Sequence, residues 1–355
     1  IPGFIAWFSL IPFIYSLDSF TSLKRSLIGG WYFGIFYVPT IIYWLSQNIG
    51  TSQSIAWVTL IASSLFLTLN YMIITGLFFW IRKGVPWARS WSLPVVWTAI
   101  EFLRSFGILG FPWISLGNTQ SAYLIPIQIV EFTSIYGVSF WLVLLNQSLY
   151  NLMEMKRLRE GLIIPIVFIV PFIIGYTLID KFYTEDKSIR VGIIQPNIHL
   201  NEKWGRGPLQ NVRHILNLSE NAIEKGVQLL IWPETAVTTF MKEGSRMHDL
   251  ISEFLSKHDG VHLLTGLPEV VNDNGVKLYY NSIGQYADKR QLNIYRKIHP
   301  VPLAEHIPLA SIFPILKNLK LGQANWEIGK NHTIFETAGQ KYSGVICFES
   351  TFPDL

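Results

Sequence analysis

The order of apolar and polar residues divides the chain into two dissimilar halves. Residues 26–81 carry no charged side chain, and a polar stretch from Ser46 to Ser54 divides them. Because a helix needs about 20 apolar residues to cross a bilayer, two membrane spans are predicted here, at 27–46 and 55–81. Further spans are predicted at 91–109, 132–153 and 161–179, and the short apolar segment that opens the chain brings the total to about six.

A different pattern begins at Ser188, where short apolar runs alternate with amphipathic stretches. Strands are predicted in IRVGIIQPNI, VQLLIWPETAV, VHLLTGLPEV, LYYNSIGQY, LNIYRKIHP and KYSGVICFES, and helices in NVRHILNLSENAIEKG and MHDLISEFLSKHDG. This alternation favours an α/β domain in which helices cover a sheet. We therefore predict two domains, a transmembrane helical domain at 1–180 and a water-soluble domain at 181–355.

Composition and charge agree with this division. Of the 355 residues, 50% are hydrophobic and 15% are charged, against about 25% charged in an ordinary soluble domain. The first 180 residues hold 15 charged side chains, and the other 175 hold 37. These values exclude a disordered chain, a collagen-like chain and a typical cytosolic enzyme. The net charge of +4 comes from dispersed basic residues, so no nucleic-acid partner is expected.

The basic residues of the first half predict its orientation in a membrane. They follow the first, third and fifth predicted spans: Lys24 and Arg25; Arg82, Lys83 and Arg89; Lys156, Arg157 and Arg159. The intervening loops at 47–54 and 110–121 contain no Lys or Arg. Basic loops mark the cytoplasmic side, so residues from 181 onward are predicted to lie on the outer side. The alternative is that the basic residues alternate by chance.

Glu101 and Arg104 are ionisable residues within a predicted span. They lie three positions apart and therefore share one helix face. Ionisable groups inside a membrane are costly and usually face a cavity or a partner. One interpretation is a self-neutralising pair, and the other is a role in holding lipid or the outer domain.

The absence of several sequence motifs excludes some kinds of site from the second half. The chain has a single cysteine, Cys347, which excludes an intrachain disulfide and a CxxC metal knuckle. The sequence also lacks HExxH, GxGxxG, Walker and GxSxG motifs. We therefore predict no metal, no cofactor and no serine nucleophile.

Three residues follow predicted strands, where the sites of α/β proteins collect. Glu234 follows LLIWP, Lys297 follows NIYR, and Cys347 follows YSGVI. Such residues can form a nucleophilic site in which the carboxylate takes the thiol proton and the ammonium stabilises an oxyanion, with the N–H of Phe348 as a second donor. Taken singly, a cysteine in a strand is more often a buried packing residue, and a Glu or Lys beside a strand is usually a solvated rim residue.

The strings around these residues resemble a known superfamily. WPET, YRKIHPVPLAEHIP and GVICFES, in this order, resemble the nitrilase, or carbon–nitrogen hydrolase, superfamily with its Glu–Lys–Cys triad. The multi-span first half, including EFLRSFGILGFPW, resembles the apolipoprotein N-acyltransferase branch. The resemblance implies a multi-pass α-helical membrane domain followed by a nitrilase-like αββα sandwich. Family members have one more span before this opening and continue well past the nucleophile, so the chain is expected to be a fragment whose sandwich is incomplete at its C-terminus.

The resemblance also implies a role for each matching residue. Glu234 matches the general base, Lys297 the lysine that stabilises the oxyanion, and Cys347 the nucleophile that becomes acylated. Supporting roles are implied for Glu305, Glu349 and Phe348, and a substrate-binding role for Trp204. Phe348 stands where some members have a tyrosine, so no phenolic hydroxyl is available at this position.

The implied activity is N-acylation of the α-amino group of the diacylglyceryl-cysteine that begins an apolipoprotein. The implied acyl donor is a phospholipid, and the implied intermediate is a thioester formed in a ping-pong reaction. The expected setting is the bacterial inner membrane, with membrane lipid around the helices and the catalytic domain on the periplasmic side. Two alternatives remain open: a membrane-tethered amidase that hydrolyses a C–N bond, and a non-enzymatic transporter or scaffold.

Overall fold

The computed structural model describes residues 3–107, 109–154, 160–179, 188–302, 304–306, 326–353 and 355. The chain divides into two compact units, Ile1–Thr184 and Glu185–Leu355. The first unit is helical and the second contains a sheet with helices, which confirms the predicted fold class. The predicted domain boundary at 180 and the third basic loop, with Lys156, Arg157 and Arg159, lie outside the described residues.

The described residues of the first unit form six α-helices. They are α1 (Ile11–Ser19), α2 (Leu23–Ile42), α3 (Gln53–Gly84), α4 (Arg89–Arg104), α5 (Val130–Met153) and α6 (Glu160–Ile179). Within the described residues, four segments are long and apolar enough to cross a membrane: Leu23–Gln47, Gln53–Gly84, Pro126–Met153 and Gly161–Ile179. The other two predicted spans correspond to shorter helices, α1 with 9 residues and α4 with 16.

Local sequence explains where the two longest neighbouring helices begin and why they pack closely. The side chains of Ser22 and Ser52 accept hydrogen bonds from main-chain N–H groups in the first turns of α2 and α3, as N-cap residues do. A Cβ atom at Gly30 would lie 2.5 Å from the main-chain oxygen of Tyr71. Glycine at this position therefore allows α2 and α3 to approach each other closely.

A group of four side chains, which we call the Asp18 cluster, joins several helix ends. Arg82 Nη1 lies 3.1 Å from Asp18 Oδ1, while Arg89 and the hydroxyl of Tyr150 donate to Asp18 Oδ2, the latter at 2.6 Å. Arg82 also donates to the main-chain oxygen of Leu17 at 2.8 Å. The cluster places Arg82, in the last turn of α3, and Arg89, at the start of α4, beside the end of α1, so two of the predicted basic regions lie at the same end of the helical unit.

Glu101 and Arg104 are both buried in the helical unit, with their side-chain N and O atoms 4.0 Å apart. Glu101 Oε1 accepts hydrogen bonds from Trp97 Nε1 at 2.9 Å and from the N–H of Leu116 at 2.8 Å. Arg104 Nε donates to the main-chain oxygen of Phe111 at 3.1 Å. The pair therefore attaches α4 to the irregular segment that follows it.

The second unit is organised around a five-stranded sheet. In spatial order its strands are β1 (Val191–Ile193), β2 (Leu229–Ile231), β3 (His262–Asp273), β4 (Val276–Ala287) and β5 (Arg290–Arg296). The pairs β1–β2 and β2–β3 are parallel, whereas β3–β4 and β4–β5 are antiparallel. The described helices of this unit are α7 (Leu200–Gly205), α8 (Pro208–Ile223) and α9 (Arg246–Ser256).

Both faces of the sheet are covered by apolar residues. Neighbouring residues of a strand point to opposite faces, and Leu263 and Leu264 of β3 belong to two different hydrophobic clusters. Helices α8 and α9 bury residues such as Ile215 and Ile251 in the first cluster. Phe335 lies in the second cluster, on the short hairpin formed by β6 (Phe335–Thr337) and β7 (Gln340–Tyr342).

One predicted strand differs from the structure. KYSGVICFES was predicted to be extended up to Cys347, but β7 ends at Tyr342 and a short 3-10 helix begins at Cys347. The main-chain φ of Cys347 is +51°, a value incompatible with a strand. The N–H of Ile346 donates to the carboxylate of Glu349 at 2.8 Å instead of to a neighbouring strand. This hydrogen bond stabilises a turn at the cysteine.

Candidate active site

Glu234 lies three residues beyond the end of β2, on a main chain held close to β3. A Cβ atom at residue 266 would lie 2.6 Å from the Cα of Glu234, so Gly266 leaves the space that this main chain occupies. Glu234 Oε1 accepts a hydrogen bond from Asn281 Nδ2 at 2.8 Å, and the side chain remains 35% exposed. The carboxylate is therefore held in place but remains accessible.

Lys297 follows β5 directly and extends the strand pairing, because its N–H donates to the main-chain oxygen of Asn281 at 2.9 Å. Its side chain is 1% exposed, and Nζ lies 2.8 Å from Glu305 Oε2 and 4.0 Å from Glu234 Oε1. A second contact fixes Glu305, whose Oε2 also accepts the N–H of Val301 at 2.8 Å. The buried ammonium therefore lies between two carboxylates, which offset the cost of removing it from water.

The thiol of Cys347 is exposed and interacts electrostatically with Glu234, Lys297 and Glu305. Its pKa is raised, mainly because surrounding atoms remove part of its hydration and also because the two carboxylates oppose a negative charge. Lys297 and the N–H of Phe348 act in the opposite direction. In this arrangement the cysteine stays a thiol at neutral pH, so it needs a proton acceptor to become a nucleophile.

Glu349 holds the turn that carries the cysteine. It is fully buried, and Oε1 accepts hydrogen bonds from the hydroxyl of Tyr295 at 2.7 Å and from the N–H groups of Ile298 and His299 at 2.6 and 3.0 Å. Oε2 accepts the N–H of Ile346 at 2.8 Å. This carboxylate therefore ties the segment after β5 to the segment before the cysteine, and its four donors support the positive φ there.

The structure brings together Glu234, Lys297, Cys347 and Glu305 in one site, with Glu349 beneath it. The side chain of Phe348 is buried against Phe352, with ring centroids 4.9 Å apart, so only its main chain is directed to the thiol. Trp204 lies on α7 with 62% of its surface exposed. Next to it, Lys203 Nζ lies 3.4 Å from the main-chain oxygen of Glu234.

The sequence analysis missed three residues of the site. Asn281 contacts the carboxylate of Glu234, Tyr295 contacts that of Glu349, and Lys203 approaches the main chain of Glu234. The first two lie on β4 and β5, so only the register of those strands shows where they point. Lys203 directly precedes Trp204, to which the resemblance assigns a substrate-binding role. This adjacency was the one feature of the sequence that could have pointed to Lys203.

The arrangement fits covalent chemistry at a carbonyl group. In the part of the chain that the structure describes, no group of three or more His, Cys, Asp or Glu residues could hold a metal ion. An exposed thiol beside an accessible carboxylate and a buried ammonium provides a nucleophile, a proton acceptor and a cation.

Two family models match the chain, one for each unit. Residues 2–148 match the apolipoprotein N-acyltransferase N-terminal domain, and residues 190–355 match the carbon–nitrogen hydrolase family. The second match covers all the strands that the structure describes and the residues of the candidate site. The α/β unit is therefore of the carbon–nitrogen hydrolase class.

Curated relatives match almost the whole chain. The apolipoprotein N-acyltransferase of Geobacter metallireducens is 27% identical over 99% of this chain and 70% of its own length. Those of Chlorobaculum tepidum and Thermotoga maritima are 24% and 25% identical, over 98% and 100% of this chain and 70% and 69% of their own lengths. Together the two family models and these relatives cover nearly the whole chain, which is similar to the apolipoprotein N-acyltransferases, a group of acyltransferase enzymes.

A solved structure also overlaps part of the chain. It is the glutamine-dependent NAD+ synthetase from Acinetobacter baumannii in complex with ADP, with a TM-score of 0.32 and 18% identity over 46% of this chain and 28% of that chain.

Proposed function

We propose that this protein transfers an acyl chain from a phospholipid to the α-amino group of the diacylglyceryl-cysteine at the N-terminus of an apolipoprotein. The observation that carries the proposal is the exposed Cys347 grouped with Glu234 and Lys297, in a chain whose described residues also include four helices of membrane-spanning length. Both substrates are anchored in lipid, so an acyltransferase acting on them benefits from a membrane domain of its own.

The first half-reaction forms a thioester. The carboxylate of Glu234 accepts the thiol proton while the sulfur of Cys347 attacks the ester carbonyl of the phospholipid. The ammonium of Lys297 and the N–H of Phe348 stabilise the negative charge that develops on the carbonyl oxygen. When the intermediate collapses, the C–O bond breaks and Glu234 returns the proton to the leaving oxygen, which releases a lysophospholipid.

The second half-reaction transfers the acyl chain to nitrogen. The acceptor amine attacks the thioester and Glu234 takes a proton from it; as the C–S bond breaks to give an amide, Glu234 returns this proton to the departing sulfur and the free thiol is restored. Glu305 positions Lys297 through its two short contacts. Glu349 positions the turn at Cys347, and the exposed ring of Trp204 is proposed to contact the substrate.

The decisive experiment is a mass measurement in two stages on the full-length protein. Incubation with a phospholipid of one defined acyl chain should add the mass of that acyl group at Cys347, and no adduct should form on a Cys347→Ser variant. A diacylglyceryl-cysteine peptide with a free amine should then remove the adduct and become an amide. Release of free fatty acid would show that water replaces the amine as acceptor, which favours a hydrolase over a transferase, and failure to form any adduct would refute the proposal.

We also propose that the protein resides in the bacterial inner membrane with the α/β unit on the periplasmic side. The basic residues at one end of the helical unit support this orientation, since such residues favour the cytoplasmic side. Single cysteines at Gly84 and Asn274, in a background lacking Cys347, provide the test. A membrane-impermeant thiol reagent applied to spheroplasts should label position 274 and leave position 84 unlabelled. The reverse pattern would contradict the orientation.

A further inference from the structure

Lys203 differs from three other basic residues in or near the site because it has no carboxylate partner among the described residues. Lys297, Arg206 and Arg296 each have a carboxylate oxygen within 2.8 Å. For Lys203, by contrast, no carboxylate oxygen of the described residues lies within 4.0 Å, and its recorded contact is the main-chain oxygen of Glu234 at 3.4 Å. An ammonium is therefore available beside the proposed general base.

The surroundings of Lys203 favour the binding of an anion. Its side chain is half-buried, and the loss of hydration lowers its pKa, with the charge of Glu234 acting in the opposite direction. A cation that has lost part of its water without gaining a carboxylate is stabilised when an anion reaches it. The ammonium of Lys297 cannot serve this purpose, because it is 1% exposed and already contacts Glu305.

The main chain at Lys203 is held independently of its ammonium. Asn211 Nδ2, on α8, donates to the main-chain oxygen of Lys203 at 2.6 Å. The ammonium is therefore not needed to hold α7 in place, and a change confined to the end of this side chain should leave the backbone where it is.

We propose that Lys203 binds the phosphate of the phospholipid donor while the donor's ester carbonyl is presented to Cys347. This inference rests on the proposed function and adds to it a residue that selects the donor. In a phospholipid the phosphate and the acyl ester are carried by the same glycerol unit, so one molecule can reach both groups. The carboxylates of Glu234 and Glu305 repel an approaching phosphate, and the charge of Lys203 offsets that repulsion.

The experiment compares two donors with identical acyl chains, a phospholipid and the corresponding diacylglycerol, which lacks phosphate. Formation of the thioester on the full-length protein is followed in mixed micelles as a function of donor mole fraction. Lys203→Gln should raise the apparent KM for the phospholipid about tenfold or more, whereas thioester formation from diacylglycerol should change little. Lys203→Arg should restore phospholipid use to near the parent value, and Lys289→Gln, in the exposed turn after β4, is the matched control.

Three outcomes of this experiment would contradict the proposal, and they can be told apart. If Lys203→Gln slowed both donors equally, Lys203 would be supporting Glu234 and the inference would be overturned. If the parent protein used both donors equally well, phosphate recognition would be excluded. A parent protein that formed no thioester with either donor would overturn the proposed function itself, and this inference with it.

Discussion

The Asp18 cluster of the helical unit and the site around Cys347 in the α/β unit both hold carboxylates close to cations, yet they differ in how fully those carboxylates are used. Both oxygens of Asp18 have donors, from two arginines and a tyrosine. In the described part of the chain, hydrogen bonds to the carboxylate of Glu234 reach only Oε1, and the side chain is 35% exposed. A carboxylate with an unused, accessible oxygen can accept a proton, whereas a saturated one stabilises structure.

Two glutamates within the α/β unit also differ in how many hydrogen bonds their carboxylates accept. Glu349 is only two residues from Cys347, but it is fully buried and accepts four hydrogen bonds. Glu234 is 113 positions away in the sequence and still interacts with the thiol. Closeness in sequence is therefore a poor guide to which carboxylate exchanges protons.

The largest effect is expected when the proposed nucleophile, Cys347, is replaced, because the Cys347 site is proposed to be reactive and the Asp18 cluster structural. Cys347→Ser should abolish acyl-enzyme formation, because a serine hydroxyl beside a carboxylate is a far weaker nucleophile than a thiolate. The substitution keeps the size of the side chain, so the protein should unfold at an unchanged temperature. Intact mass after incubation with phospholipid measures the first effect. Normal acylation of the serine variant would show that the nucleophile is elsewhere.

Glu234→Gln should slow thioester formation by about 100- to 10,000-fold, because the proton acceptor is lost while the shape remains. Quenched time points with a labelled phospholipid measure the rate. Glu253→Gln is the matched control, because Glu253, on α9, forms an exposed ion pair with Lys257, the residue that follows this helix.

Alkylation of the same variant separates loss of a base from misfolding. Because the charge of Glu234 raises the pKa of Cys347, its removal should lower that pKa and increase the thiolate fraction near neutral pH. Iodoacetamide should therefore modify the thiol of Glu234→Gln faster than that of the parent, although acylation is slower. If both reactions slowed together, the glutamate would be holding the site in shape.

Lys297→Met should slow thioester formation by about 100- to 1,000-fold, the cost of losing one group that stabilises an oxyanion. The methionine retains much of the apolar side chain in a position that is 1% exposed. Lys257→Met, on an exposed side chain, serves as the control. A rate within about threefold of the parent would assign Lys297 a structural role, like that of the Asp18 cluster.

The smallest effect is expected in the Asp18 cluster itself. Asp18→Asn should destabilise the helical unit by about 2 kcal/mol, because Arg82 and Arg89 lose a charged hydrogen-bond acceptor. Tyr150→Phe should cost about 1 kcal/mol, since a single hydrogen bond is removed. Thermal unfolding in detergent measures both, and the thioester rate per folded protein should stay unchanged. A loss of rate without a loss of stability would contradict a purely structural cluster.

The sequence predicted most of the sheet because its strands carry continuous apolar runs bounded by turns, as in LLIWP before Glu234 and NIYR before Lys297. It failed at Cys347, where the apolar run YSGVI suggests a strand but the side chain of Glu349 supplies the hydrogen bond that a neighbouring strand would give. Asn281 could not have been assigned to the site from the sequence, because its contact with Glu234 spans 47 positions and depends on strand pairing.

Gly266 limits how far this sequence can vary. With a Cβ at this position only 2.6 Å from the Cα of Glu234, even alanine would displace the main chain that carries the carboxylate. In a library that samples every amino acid at every position, residue 266 should tolerate as few replacements as residue 347. Position 266 must be free of a side chain because the main chain at Glu234 occupies that space. A position that tolerates no substitution therefore need not carry a reactive group.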